Sequence, residues 1–186
     1  ALSKDKKNDE FKKTLALILL KKYDFKNAWL SFDGRLGLSE FNEKNPTLDL
    51  VHKKIPGDKN LNRNAKILVL REQGVGDEIL YGTMYNNLLN EFPDLVIECD
   101  DRLIGLFKNS FQYHKDKFVK LGSFSSDKNK INNFDHVIYA GSLGKYFRNN
   151  LNSFLQNPYL KNIKNYRELE LEDILNNNQG LKIGIS

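Results

Sequence analysis

The first part of the chain has apolar residues at helical spacing in two short runs. The run from Glu10 to Lys22 predicts one helix, and the run from Phe25 to Phe32 predicts a second. A turn near Tyr23-Asp24 separates the two. Two short antiparallel helices of this kind resemble one unit of a helical-repeat protein. We therefore interpret residues 1–40 as a helical hairpin, although one copy cannot establish a repeat.

A polar stretch punctuated by proline and glycine follows the hairpin. Residues 41–64 contain Pro46, Pro56 and Gly57, which predicts a linker that wraps the next domain. One short helix is expected within it, near Leu48 to Lys54. The linker leads into the first strongly apolar segment of the chain.

Beyond the linker, apolar runs of strand length alternate with stretches of helical pattern. The predicted strands are 66–70, 95–99, 117–121 and 135–140, and the predicted helices are 78–91, 101–109, 143–155 and 166–175. A polar loop is expected over 123–133 and a last strand over 181–186. This alternation predicts an α/β fold over residues 65–180, a Rossmann-like parallel sheet with helices on both faces.

The turn after the first predicted strand is the most informative stretch for function. Residues 73–77, here called the glycine turn, read Gln-Gly-Val-Gly-Asp and open the next helix. Ligands of parallel sheets lie beyond the carboxyl ends of the strands, and free amides at a helix start favour anions and oxygen-rich groups. The candidate substrate-binding residues are therefore Gln73, Gly74, Val75 and Gly76. Ser142, at the end of the fourth predicted strand, either binds a sugar or phosphate or forms the turn there.

The glycine turn matches known phosphate-binding motifs only in part. No Gly-Lys-Ser or Gly-Lys-Thr follows it, which excludes a phosphate loop of the nucleoside-triphosphatase type. Gly74 and Gly76 supply the first two glycines of the dinucleotide fingerprint, but Ile79 occupies the third position. Asp100 follows the second predicted strand, where a ribose-binding carboxylate would lie. A nicotinamide-cofactor protein stays open as an alternative.

Asp77 has two interpretations, which do not exclude each other. An aspartate that opens a helix commonly serves as its N-cap. A carboxylate at the floor of the crevice, partly held by helix amides, can instead take a proton from a substrate hydroxyl. The chemistry of the residues favours the cap and leaves the general base open.

Composition narrows the remaining classes of function. The 186 residues carry a formal charge of +5, but the lysines are scattered, so we expect a solvated surface and no nucleic-acid partner. The single cysteine, Cys99, lies in an apolar run, which predicts a buried thiol in a reducing compartment, the cytoplasm. No apolar run reaches the roughly 20 residues of a membrane span. The histidines His52, His114 and His136 lack metal-ligand spacing and cysteine partners, so we expect no metal site. We expect no cofactor as the main interpretation.

The chain also resembles a known family along most of its length. The string LVLREQGVGDEILY, residues 68–81, resembles the signature that opens the glycosyltransferase-like domain of bacterial tetratricopeptide-repeat proteins, where a Glu-Gln-Gly-hydrophobic-Gly-Asp core follows the first strand. Upstream, residues 25–35 are similar to the segment that ends those repeats. Further pieces appear in the same order at 96–100, 134–135, 141–143 and 157–160, and residues 181–186 resemble the first strand of the family's second domain. Ala28, Gly144 and the string Asp33-Gly34-Arg35 depart from the family pattern.

The resemblance implies the N-terminal half of a GT-B architecture, in which two Rossmann-like domains face each other across a cleft after helical repeats. We then expect a fragment that lacks its second domain, the main binding site of a nucleotide-sugar donor. Gly76-Asp77 match the Gly-Asp of related heptosyltransferases, which implies that Asp77 deprotonates a hydroxyl of a glycan or protein acceptor. The alternative is a non-catalytic binding or scaffold module, linked to repeats and with the same fold.

Overall fold

The computed structural model describes residues 6–38, 62–161 and 174–177. Several sequence predictions lie outside these ranges, namely most of the linker over 41–64 with its short helix near 48–54, most of the helix over 166–175, and the strand over 181–186. Residues 174–177, at the end of that last predicted helix, are helical.

The fold is built on a four-stranded parallel sheet with the strand order β3-β2-β1-β4. The strands are β1, Ile67–Leu70; β2, Leu95–Cys99; β3, Phe118–Lys120; and β4, His136–Tyr139. Each lies where the sequence predicts a strand, so the predicted α/β parallel sheet is confirmed. This order is the one expected of a Rossmann-like fold, in which the strand order reverses beside β1.

Helices precede the sheet and connect its strands. The α-helices are α1, Lys6–Lys21; α2, Phe25–Phe32; α3, Val75–Gly82; α4, Tyr85–Glu91; α5, Asp101–Ser110; α6, Lys128–Asn132; and α7, Gly144–Phe147. Short 3-10 helices cover Asp33–Gly37, Gln112–Lys117, Ala140–Leu143 and Leu151–Ser153.

The two faces of the sheet carry separate apolar cores, because successive residues of a strand point to opposite faces. Ile67 and Val69 of β1 belong to the larger core, whereas Leu68 and Leu70 belong to the smaller one. Helices α3, α4 and α5 cover the larger core with Tyr81, Tyr85, Leu88, Leu103 and Phe107. The smaller core is covered by Leu36, Ile131 and Phe134. Helical segments therefore lie on both faces, as predicted.

The two N-terminal helices form the predicted hairpin. α1 ends in a Schellman-type turn, in which the amide of Tyr23 donates to the carbonyl of Leu20 and that of Asp24 donates to Leu19, each at 3.0 Å. Tyr23 takes the left-handed conformation that this turn requires, with a φ of 61°. The Asp24 carboxylate then caps α2 by accepting a hydrogen bond from the amide of Asn27.

Trp29 joins the hairpin to the sheet domain. Its indole N–H donates to the backbone carbonyl of Arg148 at 2.7 Å. Its ring lies so close to Gly144, the first residue of α7, that a Cβ atom added there would be 2.5 Å from the ring. Leu36, which follows α2, is buried in the smaller core. The hairpin is therefore packed against the same unit as the sheet.

The prediction of one helix over 78–91 is wrong. The helical segment begins earlier, at Val75, and divides into α3 and α4 at Thr83. The Thr83 hydroxyl donates to the carbonyl of Leu80 at 2.7 Å, and the Thr83 carbonyl accepts a hydrogen bond from Arg148 Nη2 at 2.6 Å. In a continuous helix that carbonyl would accept the amide of Asn87. A tertiary contact thus replaces a helical hydrogen bond, and the helix breaks.

The loop predicted over 123–133 and the helix predicted over 143–155 are also corrected. Part of the loop forms α6, capped by Asp127. The stretch after β4 is divided into α7 and short 3-10 turns. The Asn149 side chain donates to the carbonyl of Lys145 at 3.1 Å, and Asn150 starts the next turn as its cap. Asparagine side chains that bind the backbone compete with the continuation of a helix.

We expect replacement of Gly144 by alanine to destabilise the packing of the hairpin. The added methyl group would overlap the Trp29 ring, and overpacking of this kind costs about 1–3 kcal/mol. Gly144→Ala should lower the free energy of unfolding by this amount, measured by chemical denaturation. Gly76→Ala is the matched control for stability, because no atom of the described residues lies within 4 Å of its added Cβ. Equal stability of Gly144→Ala and the parent protein would contradict the described packing.

Candidate functional site

An open cleft of about 890 Å³ lies between the hairpin and the carboxyl end of β1. One wall is largely apolar and includes Leu17 and Leu20 of α1 and Trp29 and Phe32 of α2. The opposite wall consists of residues of the glycine turn and of α3, including Asp77 and Tyr81. The cleft thus lies where ligands bind in open parallel sheets, beyond a strand end at the point where the strand order reverses.

The structure corrects the interpretation of Asp77 as the N-cap of α3. Gly74 holds that position, with φ −96° and ψ 174°, and Asp77 is the third residue of the helix. Oδ2 of Asp77 accepts a hydrogen bond from the amide of Gly74 at 3.2 Å. This contact is one half of a capping box, and glycine has no side chain to form the other half. Asp77 still satisfies a free amide of the helix start, but from within the first turn.

This arrangement leaves part of the Asp77 carboxylate available to a ligand. The side chain is partly exposed and lines the cleft. Within the described residues, its hydrogen bonding is limited to Oδ2 and the amide of Gly74. The other carboxylate oxygen can therefore accept a hydrogen bond, or a proton, from a molecule in the cleft.

A buried ion pair between the hairpin and the end of β1 lies at the floor of the cleft. Nε and Nη2 of Arg35 donate to Oε2 and Oε1 of Glu72 at 2.7 and 2.8 Å. Nη1 donates to the carbonyl of Phe32 and to Asp33, each at 3.1 Å, and Nη2 donates to Ser142 Oγ at 2.9 Å. Because a guanidinium has five N–H donors, every donor of Arg35 is used.

The charge of the Arg35 guanidinium is maintained despite its burial. The Arg35 and Glu72 side chains are 2% and 0% exposed. Burial disfavours the charged guanidinium, but the charge and hydrogen bonds of Glu72, together with the charge of Asp33, outweigh this cost and raise the pKa of Arg35. The ring of Phe32 adds a cation–π contact, 4.3 Å from the guanidinium carbon.

Ser142 and Lys145 extend the ion pair to the end of β4. Ser142 Oγ donates to Asp33 Oδ1 at 2.6 Å, and Lys145 Nζ donates to Asp33 Oδ2 at 2.9 Å. The amide of Gly141 also donates to Glu72. Burial disfavours the charge of Lys145, but the charge and hydrogen bond of Asp33 prevail and raise its pKa. The carboxyl ends of β1 and β4 are thereby linked to the hairpin by one polar network.

A second set of charged groups holds the glycine turn from the other side. Arg71, directly after β1, donates to Asp100 at 2.7 Å and lies 3.2 Å from Glu78. Its Nη2 also donates to the carbonyl of Gln73 at 2.8 Å. Hydrogen bonds from Arg102, together with the charge of Arg71, lower the pKa of Asp100, whereas burial raises that of Glu78. Asp100 is therefore engaged by two arginines. This argues against the role of a ribose-binding carboxylate in a nicotinamide-cofactor protein.

No protein-family model, curated protein or solved structure matches this chain. The side chains of the cleft are therefore the evidence for its chemistry. The described residues hold no group of three or more His, Cys, Asp or Glu placed to bind a metal ion. Over the same residues, no helix has the length and apolar character needed to cross a membrane.

The structure brings together only part of the predicted site. Gln73, Gly74 and Asp77 line the cleft, but Val75, Gly76 and Ser142 are not in its described lining. Ser142 is buried and its hydroxyl is engaged in the polar network, so its contact with a substrate stays a prediction. Gln73 has a left-handed backbone with a φ of 61°, a conformation that costs a non-glycine residue about 1–2 kcal/mol and is concentrated at functional sites.

Sequence reasoning missed the hairpin as a wall of the cleft. The sequence indicates this wall only through the string Phe32-Asp33-Gly34-Arg35, in which an acidic residue and an arginine follow the aromatic end of a helix. We compared that string with the end of a repeat and gave Asp33 and Arg35 no role in the site. Cys99 is buried, as predicted, and burial raises the pKa of its thiol to about 12. This thiol is therefore not a nucleophile.

Arg35→Met should be strongly destabilising. It would leave the Glu72 carboxylate buried without its counter-ion, a change that costs about 3–5 kcal/mol in free energy of unfolding. The coupling energy of the pair is obtained from a double-mutant cycle measured by chemical denaturation. The cycle consists of the parent protein, Arg35→Met, Glu72→Gln and the double variant. Because the double variant buries no unpaired charge, it should recover part of the loss.

Arg63→Met is the matched control for this cycle. Arg63 lies 3.6 Å from Glu91, but its side chain is 77% exposed. Its removal should change stability by about 0.5 kcal/mol or less, because exposed ion pairs contribute little. Equal effects of Arg35→Met and Arg63→Met would contradict the role given to the buried pair.

Proposed function

We propose that this chain supplies the acceptor side of a glycosyltransferase, which transfers a sugar from a nucleotide-sugar donor to a hydroxyl of a glycan or protein. The observation that carries the proposal is the Asp77 carboxylate, which lines the cleft with one oxygen engaged by Gly74. The resemblance of residues 68–81 to the Glu-Gln-Gly-hydrophobic-Gly-Asp signature supports it. The GT-B architecture and the preceding helical repeats are part of the same proposal.

Gly74 gives independent support. Its extended backbone is one that any residue adopts, and among the described residues an added Cβ would have only Asp77 nearby, at 3.6 Å. Neither backbone conformation nor packing therefore requires glycine at this position. The missing side chain leaves room for a ligand to approach the carboxylate and the helix start.

In the proposed reaction, the acceptor hydroxyl attacks the anomeric carbon of the donor sugar. The acceptor oxygen forms a bond to that carbon while the bond to the diphosphate oxygen breaks, and the electron pair leaves with the diphosphate. Asp77 takes the proton of the hydroxyl, which makes its oxygen a stronger nucleophile. In the resembling family a second domain binds most of the nucleotide and would stabilise the leaving diphosphate.

A non-catalytic binding module with the same fold is the second candidate. The observation in its favour is that Arg35, Glu72 and Ser142 hydrogen-bond to one another. These side chains are therefore not available to take part in a reaction. The contact of Asp77 with Gly74 would then be a cap alone. The two candidates differ in whether Asp77 contributes to turnover.

Asp77→Asn separates the structural from the chemical role. An asparagine oxygen can still accept the hydrogen bond from Gly74, so stability should change by about 0.5 kcal/mol or less. Loss of a general base should lower sugar transfer by about 100-fold or more. Transfer and hydrolysis of nucleotide sugars would be measured on the complete protein, with thermal melting of each variant.

Asp127→Asn is the matched control, because Asp127 accepts a helix-start amide of α6 and is not in the described lining of the cleft. It should transfer sugar at the parent rate. If Asp77→Asn is equally active, the base assignment fails. If the parent protein turns over no donor, the binding module becomes the better assignment.

Gly74→Ser tests whether the open space beside Asp77 is needed. Serine is a better N-cap than glycine by about 0.3 kcal/mol, so the melting temperature should stay the same or rise slightly. Its side chain would occupy the space near the carboxylate and should reduce kcat/KM for transfer by about tenfold or more, through displacement of the acceptor. Unchanged steady-state kinetics would show that no ligand approaches at this position.

A further inference from the structure

Tyr81 places a hydroxyl group in the cleft one helical turn after Asp77. Side chains four residues apart lie on the same face of a helix, and both of these line the cleft. Tyr81 is only 6% exposed, so its ring is held by the larger core. The position of the hydroxyl is therefore fixed by packing.

This hydroxyl has no hydrogen-bond partner within residues 6–38, 62–161 and 174–177, yet it is not sealed from solvent. A buried tyrosine hydroxyl usually has a hydrogen-bond partner. Tyr159, which packs against the same core, is an example, since its hydroxyl donates to the carbonyl of Ile79 at 2.5 Å. The hydroxyl of Tyr85 also lacks a partner, but it is enclosed in the core, where no ligand can reach it. A fixed and unpaired hydroxyl that opens on a cleft points to a bound molecule as its partner.

The groups that act electrostatically on the Tyr81 hydroxyl are two carboxylates and one guanidinium. Burial and the charges of Glu72 and Asp77 raise its pKa, and Arg35 opposes them. The hydroxyl is therefore a protonated hydrogen-bond donor at neutral pH. The charges of Arg35 and Glu72 offset each other as an ion pair. Asp77 is then the carboxylate beside this hydroxyl that has no counter-ion among the described residues, and its charge disfavours an anionic ligand group at this place.

We propose that Asp77 and Tyr81 together bind a hydroxyl-bearing, electrically neutral ligand. Tyr81 donates a hydrogen bond to the ligand, and Asp77 accepts one from it, which matches the acceptor and donor capacity of an alcohol. The apolar wall, which includes Leu17, Leu20 and Phe32, accommodates a carbon skeleton. The ligand class is a neutral polyol with an apolar substituent.

This assignment makes Tyr81 a specificity-determining residue. It rests on the proposed function in one respect, that the bound alcohol is the acceptor of the transferred sugar. A ligand without the hydroxyl would leave Tyr81 and Asp77 unpaired in the cleft, and sites built in this way reject such ligands strongly. Lys13 and Arg71 also line the cleft and favour an anionic ligand, so an anionic probe is the direct competitor in the test.

The test is binding to the full chain, measured by ligand-observed NMR and calorimetry without any donor. The neutral probes are the hexyl β-glycosides of glucose, galactose and mannose, together with 1,2-hexanediol, and the anionic probe is hexanoate. At least one neutral probe should bind and hexanoate should bind more weakly. Tyr81→Phe should raise the Kd of the bound probe about three- to tenfold, since it removes one hydrogen bond and keeps the ring.

Tyr159→Phe is the matched control, because it also removes a single tyrosine hydroxyl but lies outside the described lining of the cleft. It should leave the Kd unchanged, even if it lowers the melting temperature. The proposal is overturned if no neutral probe binds, if hexanoate binds more tightly than every neutral probe, or if Tyr81→Phe binds as the parent does.

The binding test can fail separately from the proposed function. If neutral probes bind and Tyr81→Phe weakens them, the alcohol site stands even when the complete protein transfers no sugar. If the complete protein transfers sugar and Tyr81→Phe keeps the parent KM for the acceptor, the transfer stands and the assignment of Tyr81 is wrong.

Discussion

The buried ion pair of Arg35 and Glu72 is the constraint on which the rest of the site depends. Taking two charges out of water is favourable only if every donor and acceptor of the pair is satisfied. Here that requires a carbonyl and a carboxylate from the end of the hairpin, and Gly141 and Ser142 from the end of β4, at the same time. The hairpin and the two strand ends therefore have one favourable relative position.

The shape of the cleft follows from that position. Glu72 is directly followed by the glycine turn, so fixing its carboxylate also fixes the start of the turn beneath the hairpin. Arg71 holds the same turn through the carbonyl of Gln73, whose left-handed backbone directs the chain into α3. Asp77 and Tyr81 then face the hairpin from one side of that helix. The hairpin is thus a wall of the site as well as an N-terminal extension of the fold.

Local patterns predicted the fold well, because the strands are continuous apolar runs and the glycine turn carries its own chemistry. They failed where the cause of a structure lies far away in sequence. The break between α3 and α4 depends on Arg148, which binds the carbonyl of Thr83 across 65 residues. The pairing of Arg35 with Glu72 spans 37 residues, and neither residue alone indicates the other. For the same reason, Asp77 was found from the sequence, whereas the opposite wall of the cleft and the role of Tyr81 were not.

The two interpretations of Asp77 are reconciled by its two carboxylate oxygens. Oδ2 is engaged by the amide of Gly74, so the contact that satisfies the helix start also orients the side chain. Among the described residues the other oxygen makes no hydrogen bond, so it can bind a molecule in the cleft without the loss of a structural contact. This is the preorganisation expected of a binding or catalytic group. The neighbouring Tyr81 hydroxyl supplies the complementary donor from the same helix face. Stability and ligand recognition therefore use different atoms of the same short helix, and a substitution that keeps the capping oxygen can remove one role without the other.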